Sequence, residues 1–263
     1  NNEGTKVLFT DEWGGGGRAR CRAWDPLTWG ADAIYDIVDK KLEFRSHYKI
    51  PAPQLETENC VAHNGSIVPV PGRDIFVQAW YQGGISVIDF TDSYNPFEIA
   101  YFDRGPILED ELITGGFWSA YYYQGTIYGT EITRGLDVLK LIPSKYLSEN
   151  EIAAAAMAYP VIGPRRLFNP QHQVPMTWPA APEVARAYID QLMRDDAISE
   201  DSAERIGDML DQVTLAMENG GDNRLARQIN SYRLSAKGSN ISLTQHRLEK
   251  LDATLKGIAA GLR

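Results

Sequence analysis

The sequence predicts a multidomain β + α fold, in which a partial antiparallel β-propeller of about two to three blades precedes a bundle of three or four helices. Three observations lead to this fold class. A strand–turn–strand pattern occurs twice in the first part of the chain, a proline-rich segment follows it, and a helical period of apolar residues runs to the end. The corresponding domains are residues 1–143, 144–182 and 183–263.

The strand–turn–strand pattern occupies residues 73–90 and again residues 124–141. In each copy a strand of alternating apolar and aromatic residues leads into a polar turn, and a second alternating strand follows. Gly84 and Gly135 end the two turns, where a residue without Cβ takes a positive φ at no steric cost. One such unit cannot bury both of its faces, so repeated units predict the blades of a propeller.

Further strands are expected on both sides of the first copy. Residues 6–10 form a strand, and residues 33–48 form a hairpin around Asp39 and Lys40, which together give part of one blade. A complete blade is expected from residues 60–63, 74–80, 85–90 and 98–102, and most of another from residues 118–123, 126–131 and 136–141. Propellers close with about four to eight blades. We therefore expect the missing blades upstream of residue 1 or on a partner chain.

The second half of the chain changes from strands to helices. Ser148 and Glu151 fit a capping box for a short helix over residues 152–157, and the prolines that follow favour the extended backbone of a linker. From residue 183 onward, apolar residues recur at spacings of three and four, which gives each helix one apolar stripe for its neighbours. Ser199 and Ser242 are the expected N-caps of two of these helices.

Composition excludes several classes of partner. A net charge of −9 and a pI near 5.0 disfavour nucleic acid, whose binding requires a cationic surface. The longest apolar stretch, residues 152–159, is too short to span a membrane. The chain begins without Met or a signal-peptide pattern, and we interpret its start as a cut edge. Cys21 and Cys60 can form one disulfide or remain two separate buried thiols.

Residues 83–96, GGISVIDFTDSYNP, resemble the LVIVD repeat. That repeat has a glycine, an apolar alternation ending in Asp, and a turn of the form Ser/Thr-Asp-x-x-x-Pro, which Asp89 and Pro96 match here. Residues 135–141 are a degenerate copy, because Lys140 replaces the Asp. The resemblance implies that residues 1–143 are the C-terminal blades of a bacterial propeller carried outside the cytoplasm. It transfers no catalytic residues.

Residues 186–263 are similar to the helical modules of the FIMAH type. The similarity is carried by AYIDQL at residues 187–192 and by the last leucine-rich helix at residues 255–262. Such modules form tails of secreted bacterial proteins. Both resemblances therefore imply an extracellular or cell-surface location.

Polar and aromatic residues at strand ends form the candidate ligand site, because loops that converge at the mouth of a propeller place polar groups around an aromatic floor. The candidates are Glu58, His63, Asn64, Trp118, Tyr121 and Arg134. His63 has an alternative role as a structural histidine that bonds the backbone of a neighbouring blade. Asp11 and Glu12 offer oxygen ligands for Ca²⁺, although their spacing matches no established calcium loop. No other cofactor is expected.

The leading functional hypothesis is a non-catalytic binding module of an exported bacterial propeller protein, whose ligand is a surface protein or a glycan. The alternative is a metal-dependent oxidase of the kind that propellers resembling selenium-binding proteins host. That alternative requires several histidines facing the central channel, and His63 is the one candidate of this kind in the sequence. Metal analysis of the purified protein would separate the two hypotheses.

Overall fold

A computed structural model describes residues 1–163, 167–234 and 241–263 of the chain. The structure has mixed β and α content, as expected, with several small antiparallel sheets and five α-helices among these residues. The chain forms two compact units. The first comprises Asn1–Pro69, Arg73–Leu141 and Pro160–Met176, and the second comprises Val70–Gly72, Ile142–Tyr159 and Thr177–Arg263.

The first sheet of the first unit has three antiparallel strands in the order β1-β2-β3. They are β1 (Lys6–Thr10), β2 (Asp32–Val38) and β3 (Lys41–Tyr48). Asp39 and Lys40 form the turn between β2 and β3 with φ values of 49° and 64°, which are the left-handed conformations that a two-residue hairpin turn requires. The hairpin predicted around these two residues is therefore confirmed.

The second sheet is a four-stranded antiparallel meander. Its strands are β4 (Gly65–Val68), β5 (Ile75–Ala79), β6 (Ile85–Asp89) and β7 (Phe97–Phe102), in that order. Every residue of β5 and β6 is buried, so these two strands form the centre of the sheet on both faces. Gly84 has a φ of 85° at the turn between them, as predicted.

The first strand of this sheet differs from the prediction. Residues 60–63 do not form a strand, and the sheet begins at Gly65 instead. The reason is that the Cys60 amide donates to the Arg18 carbonyl at 3.1 Å and the Ala62 amide to the Gly30 carbonyl at 2.8 Å. Both amides thus face the connection between β1 and β2, whereas the His63 amide donates to the Ala79 carbonyl of β5 at 3.0 Å, so the segment meets β5 at its end and the ladder proper starts at Gly65.

The third sheet contains β8 (Phe117–Tyr123), β9 (Thr126–Glu131) and β10 (Gly135–Leu139) in the order β10-β9-β8. Isolated bridges link β8 to the second sheet's flanking residues, with Asn64 opposite Ser119 and Tyr81 opposite Phe117. These bridges bring the start of β8 next to His63, and this proximity builds the site described below.

The segment predicted as a linker, residues 144–182, is divided between the two units. Its first part forms α1 (Glu149–Met157), whose capping box at Ser148 is confirmed, and α1 packs within the helical unit. Its later part packs within the β unit, where the Gln171 side chain donates to the Tyr121 hydroxyl at 2.6 Å. The two short strands β11 (Tyr159–Pro160) and β12 (Met176–Thr177) pair with each other, and a 3-10 turn covers Pro170–His172. Specific packing of this kind is the physical reason that the segment is not a separate linker.

The second unit is helical. Besides α1 it contains α2 (Pro182–Arg194), α3 (Glu200–Glu218), α4 (Asn223–Ser231) and α5 (Ile241–Gly261). Large buried side chains of its shared core include Leu192, Ile206, Leu210, Leu251 and Ile258, which follow the predicted apolar stripes. Ser199 is the N-cap of α3, as predicted. The N-cap predicted at Ser242 is wrong, because α5 begins at Ile241 and Ser242 lies in its first turn.

None of the helices in the described residues combines the length and the apolar character that crossing a bilayer requires.

Candidate functional site

Four side chains of the first unit form a compact group that we call the carboxylate–aromatic cluster: Glu12, His63, Tyr81 and Trp118. The Tyr81 hydroxyl donates to Glu12 Oε1 at 2.5 Å, and His63 Nε2 lies 3.4 Å from Glu12 Oε2. The His63 ring centre is 4.7 Å from that of Tyr81 and 4.5 Å from that of Trp118. One carboxylate is thus held against Tyr81 and His63, and Trp118 packs on the rings of both.

Each member of the cluster comes from a connection or a strand end. Glu12 follows β1, His63 precedes β4, Tyr81 lies in the turn between β5 and β6, and Trp118 lies at the start of β8. Tyr81 has a φ of 53°, a left-handed conformation that is unfavourable for a bulky residue. Strained backbone of this kind persists where the surrounding structure holds it, and it is concentrated at functional sites. Two hydrogen bonds between the backbones of Tyr81 and Phe117 hold it here.

A buried network of amides fixes the glycine-rich run, residues 14–17, beneath the cluster. The Asn59 side chain donates to the Gly16 carbonyl at 2.5 Å, and the Gln82 side chain donates to Asn59 Oδ1 at 2.6 Å. Gly16 lies directly on the Tyr81 ring, since a Cβ at this position would be 2.2 Å from Tyr81 Cζ. The network therefore sets the path of the backbone that carries Glu12 to the cluster.

The hydrogen bond of His63 to Trp118 determines which of its ring nitrogens faces Glu12. Nδ1 lies 2.5 Å from the Trp118 carbonyl, and a carbonyl only accepts, so Nδ1 carries a hydrogen. In the neutral ring Nε2 then has a lone pair, and this lone pair faces a carboxylate oxygen of Glu12. A hydrogen-bond donor placed between the two atoms would satisfy both acceptors.

Tyr81 is a permanent donor in this arrangement. Burial, and after it the hydrogen bond to Glu12, raise the pKa of the Tyr81 phenol above its ordinary value. The phenol keeps its proton at neutral pH and orients the Glu12 carboxylate, whose side chain is 40% exposed. The other Glu12 oxygen, Oε2, faces His63 Nε2.

A second carboxyl lies behind the cluster. Asp32 is fully buried, and its Oδ1 accepts from the Gln78 amide at 2.8 Å, while the same amide donates to the His63 carbonyl at 3.1 Å. Burial raises the pKa of Asp32 well above its usual range. Asp32 Oδ2 and Gln78 Oε1 have no hydrogen-bond partner among the described residues, which is consistent with a protonated acid at this position.

Comparison of the sequence with protein-family models and with curated proteins found no match. The cluster is therefore interpreted from its own chemistry. A half-exposed indole provides a flat apolar surface, with 50% of Trp118 exposed, and the Glu12 carboxylate beside it accepts hydrogen bonds. Such a pair fits the two sides of a sugar ring, whose C–H face is apolar and whose hydroxyls are donors.

The structure brings together two of the six predicted ligand residues, His63 and Trp118, and Asn64 lies next to His63 in the chain. The Asn64 carbonyl accepts from the amides of Ala79 and Ala120, so its backbone joins the second and third sheets. The alternative role weighed for His63 is also present, because its ring bonds the backbone carbonyl of β8.

The other three predicted ligand residues have their contacts elsewhere. Glu58 is buried and accepts from the Leu55 amide at 2.6 Å, and burial raises its pKa. Tyr121 bonds Gln171, as described above. Arg134 lies in the turn after β9, where its amide donates to the Glu131 carboxylate. A position at a strand end therefore did not distinguish the residues of the carboxylate–aromatic cluster from residues that only stabilise turns.

Asp11 and Glu12, the two residues predicted to bind metal, make different contacts in the structure. Glu12 belongs to the cluster, whereas the Asp11 amide donates to the Ala31 carbonyl at 3.2 Å and continues the ladder of β1 with β2. Across residues 1–163, 167–234 and 241–263, no group of three or more His, Cys, Asp or Glu side chains is arranged to hold a metal ion.

Cys21 and Cys60 form a disulfide, which was one of the two possibilities left open by the sequence. The bond ties the connection between β1 and β2 to the residues just before His63. Sequence reasoning missed Tyr81 and Gln82. A signal for Tyr81 was present, because a tyrosine directly before a Gln-Gly-Gly turn leaves the strand and is free to face a different neighbour.

Proposed function

We propose that the chain is a non-catalytic, glycan-binding part of an exported bacterial protein, and that the three sheets of its first unit are blades of a propeller. Support for the blades comes from the three antiparallel meanders, the second of which has the four strands that a blade contains. Support for export comes from the disulfide between Cys21 and Cys60, because disulfides persist in oxidising compartments.

The carboxylate–aromatic cluster is the observation that carries the proposal of a ligand site. Trp118 offers a stacking surface, and the Glu12 side chain, which is 40% exposed, is held by buried Tyr81. Glycoside hydrolysis ordinarily uses two carboxyl groups that flank the scissile bond. Glu12 is partly exposed, whereas Asp32, the second carboxyl, is fully buried behind His63 and cannot flank a bound sugar, and this favours binding without hydrolysis.

A glycan array probed with the fluorescently labelled full chain tests the proposal. We expect retention on a subset of the arrayed oligosaccharides, and a loss of about tenfold or more in affinity for those ligands when Trp118→Ala removes the stacking surface. Tyr101→Ala is the matched control, because Tyr101 is 74% exposed on β7 and lies outside the cluster. Absence of binding to every glycan, or equal binding by both variants, would contradict the proposal.

A further inference from the structure

A second group of aromatic and basic side chains lies in the connection between β1 and β2. Residues 13–29 contain Trp13, Trp24 and Trp29 together with Arg18, Arg20 and Arg22. Half of the tryptophans of the chain are thus concentrated in one short connection. We call Trp13, Trp29 and Arg20 the guanidinium–indole site.

The backbone around this site is held at several points. The disulfide of Cys21 with Cys60 fixes its middle. The partly buried ammonium of Lys49 donates to the carbonyls of Arg20 and Trp29, and the backbone amide of Gln54 donates to the Cys21 carbonyl at 2.8 Å. A surface that is ordered before binding loses little conformational entropy when a ligand arrives.

Arg20 stacks on both indoles of the site. Its guanidinium carbon lies 4.5 Å from the ring centre of Trp13 and 5.1 Å from that of Trp29, and the two ring centres are 4.6 Å apart. Trp13 is 42% exposed. The site therefore presents a positive charge beside an accessible aromatic surface.

Arg20 has no anionic partner among the described residues. Within the part of the chain that the structure describes, the Arg20 side chain makes no hydrogen bond or ion pair, and its Nε is buried without a partner. Arg22, two residues further on, is different, because it donates twice to the Asp25 carboxylate at 3.0 and 2.8 Å. A guanidinium has five donors in a planar fork that matches a carboxylate. An unpaired guanidinium on an aromatic surface thus has the chemistry of a site for a carboxylate attached to a ring with an apolar face.

We propose that the guanidinium–indole site binds an acidic oligosaccharide made of uronic acid units, with a sugar carboxylate on Arg20 and a sugar ring on Trp13. This goes beyond the proposed function, since it assigns a different site and an anionic ligand, and it does not depend on the carboxylate–aromatic cluster.

A repeating ligand fits the segment better than a single anion does. Arg22 stacks on Trp24 with its guanidinium carbon 5.3 Å from the ring centre, and Trp24 is 67% exposed. The same tethered connection thus offers a second stacking surface, whose arginine charge is already paired with Asp25. A uronic acid oligomer supplies several sugar rings with apolar C–H faces to such surfaces, whereas an acidic peptide supplies carboxylates on flexible side chains.

Isothermal titration of the full chain tests the proposal with three probes. The first is an oligogalacturonate, the second is its fully methyl-esterified form, and the third is a polyglutamate of similar charge. We expect measurable binding of the oligogalacturonate, with affinity that falls as salt is raised. The ester and the polyglutamate should bind at least about tenfold more weakly, because each lacks one of the two recognised features. Equal binding of ester and acid, equal binding of polyglutamate, or no binding of the oligogalacturonate would overturn the proposal.

Variants assign the binding to the site. Arg20→Gln and Trp13→Ala should each lower the affinity for oligogalacturonate by about tenfold or more, and Arg20→Lys should give an intermediate value because it keeps the charge without the planar fork. Arg227→Gln is the control for net charge, since Arg227 is an exposed residue of α4 in the other unit. Circular dichroism and the melting temperature identify any variant that fails to fold, and Trp13→Ala, which retains the charge, then decides the test. Unchanged affinity in a folded Trp13→Ala or Arg20→Gln variant would overturn the assignment.

Discussion

Replacement of Gly16 by Ala perturbs the contact that places Glu12 in the carboxylate–aromatic cluster. Gly16 has a φ of 65°, and an added Cβ would lie 2.2 Å from Cζ and 2.5 Å from Cε2 of Tyr81. The Tyr81 ring is buried and bonded to Glu12, so it cannot simply turn into solvent. Either the ring or the glycine-rich run must move.

The magnitude follows from two contributions. A non-glycine residue in the left-handed region costs about 1–2 kcal/mol, and forcing an extra carbon into a well-packed position costs about 1–3 kcal/mol. Gly15→Ala isolates the first contribution, because Gly15 has a φ of 69° but no atom lies within 4 Å of its added Cβ. We therefore expect Gly16→Ala to lower the free energy of unfolding by about 1–3 kcal/mol more than Gly15→Ala does.

Urea denaturation of the full chain, followed by tryptophan fluorescence, measures this difference. Five of the six tryptophans lie in the first unit, so the fluorescence reports mainly on that unit even if the helical unit unfolds separately. Gly16→Ala should also weaken glycan binding at the cluster, since movement of the run displaces Glu12. Two variants with the same unfolding free energy would refute the close contact between Gly16 and Tyr81.

Two further predictions concern the interior of the first unit. Burial raises the folded-state pKa of Asp32 above its unfolded value, so the folded state binds the extra proton and stability falls as pH rises from about 4 through the folded pKa. Asp32→Asn should remove this decline and increase stability at pH 7, because its new amide can donate to Gln78 Oε1. Urea denaturation at several pH values measures the effect. A variant whose stability keeps the same pH slope would show that Asp32 is not the source of that slope. The disulfide closes a loop between residues 39 positions apart, so replacing Cys21 and Cys60 by Ser should lower the free energy of unfolding by about 4 kcal/mol. Dithiothreitol should destabilise the unmodified chain equally and leave the variant unchanged. A stability of the unmodified chain that does not respond to dithiothreitol would contradict the bond.

Local patterns in the sequence predicted the secondary structure well where the controlling interactions are local. The turn at Asp39 and Lys40, the turn at Gly84 and the capping box at Ser148 all depend on residues within a few positions of one another. The strand predicted at residues 60–63 failed because its amides bind Arg18 and Gly30, which lie more than thirty positions away. No period of two or of 3.6 residues carries information on such a partner.

The candidate site was predicted in part for the same reason. His63 and Trp118 were identified from their positions at strand ends, but Glu12, which faces His63, was assigned to calcium together with Asp11. Glu12 reaches the cluster because the glycine-rich run turns the chain back onto Tyr81. A run of glycines shows that the backbone can take unusual conformations, whereas the direction it takes depends on the tertiary contacts of Asn59 and Gln82.

Glu12 and Trp13 connect the two proposed sites through the chain itself. Glu12 contacts Tyr81 and His63, whereas the next residue, Trp13, contacts Arg20 and Trp29. The Gly15 amide donates to the Glu12 carbonyl at 3.0 Å and closes a turn over these residues, so one short stretch after β1 supplies a member to each site. The glycine-rich run follows at once and is fixed by the amide network. If both proposed sites bind as we infer, the unusual composition of the connection between β1 and β2 follows from its supplying Glu12 to one surface and Trp13 and Arg20 to the other.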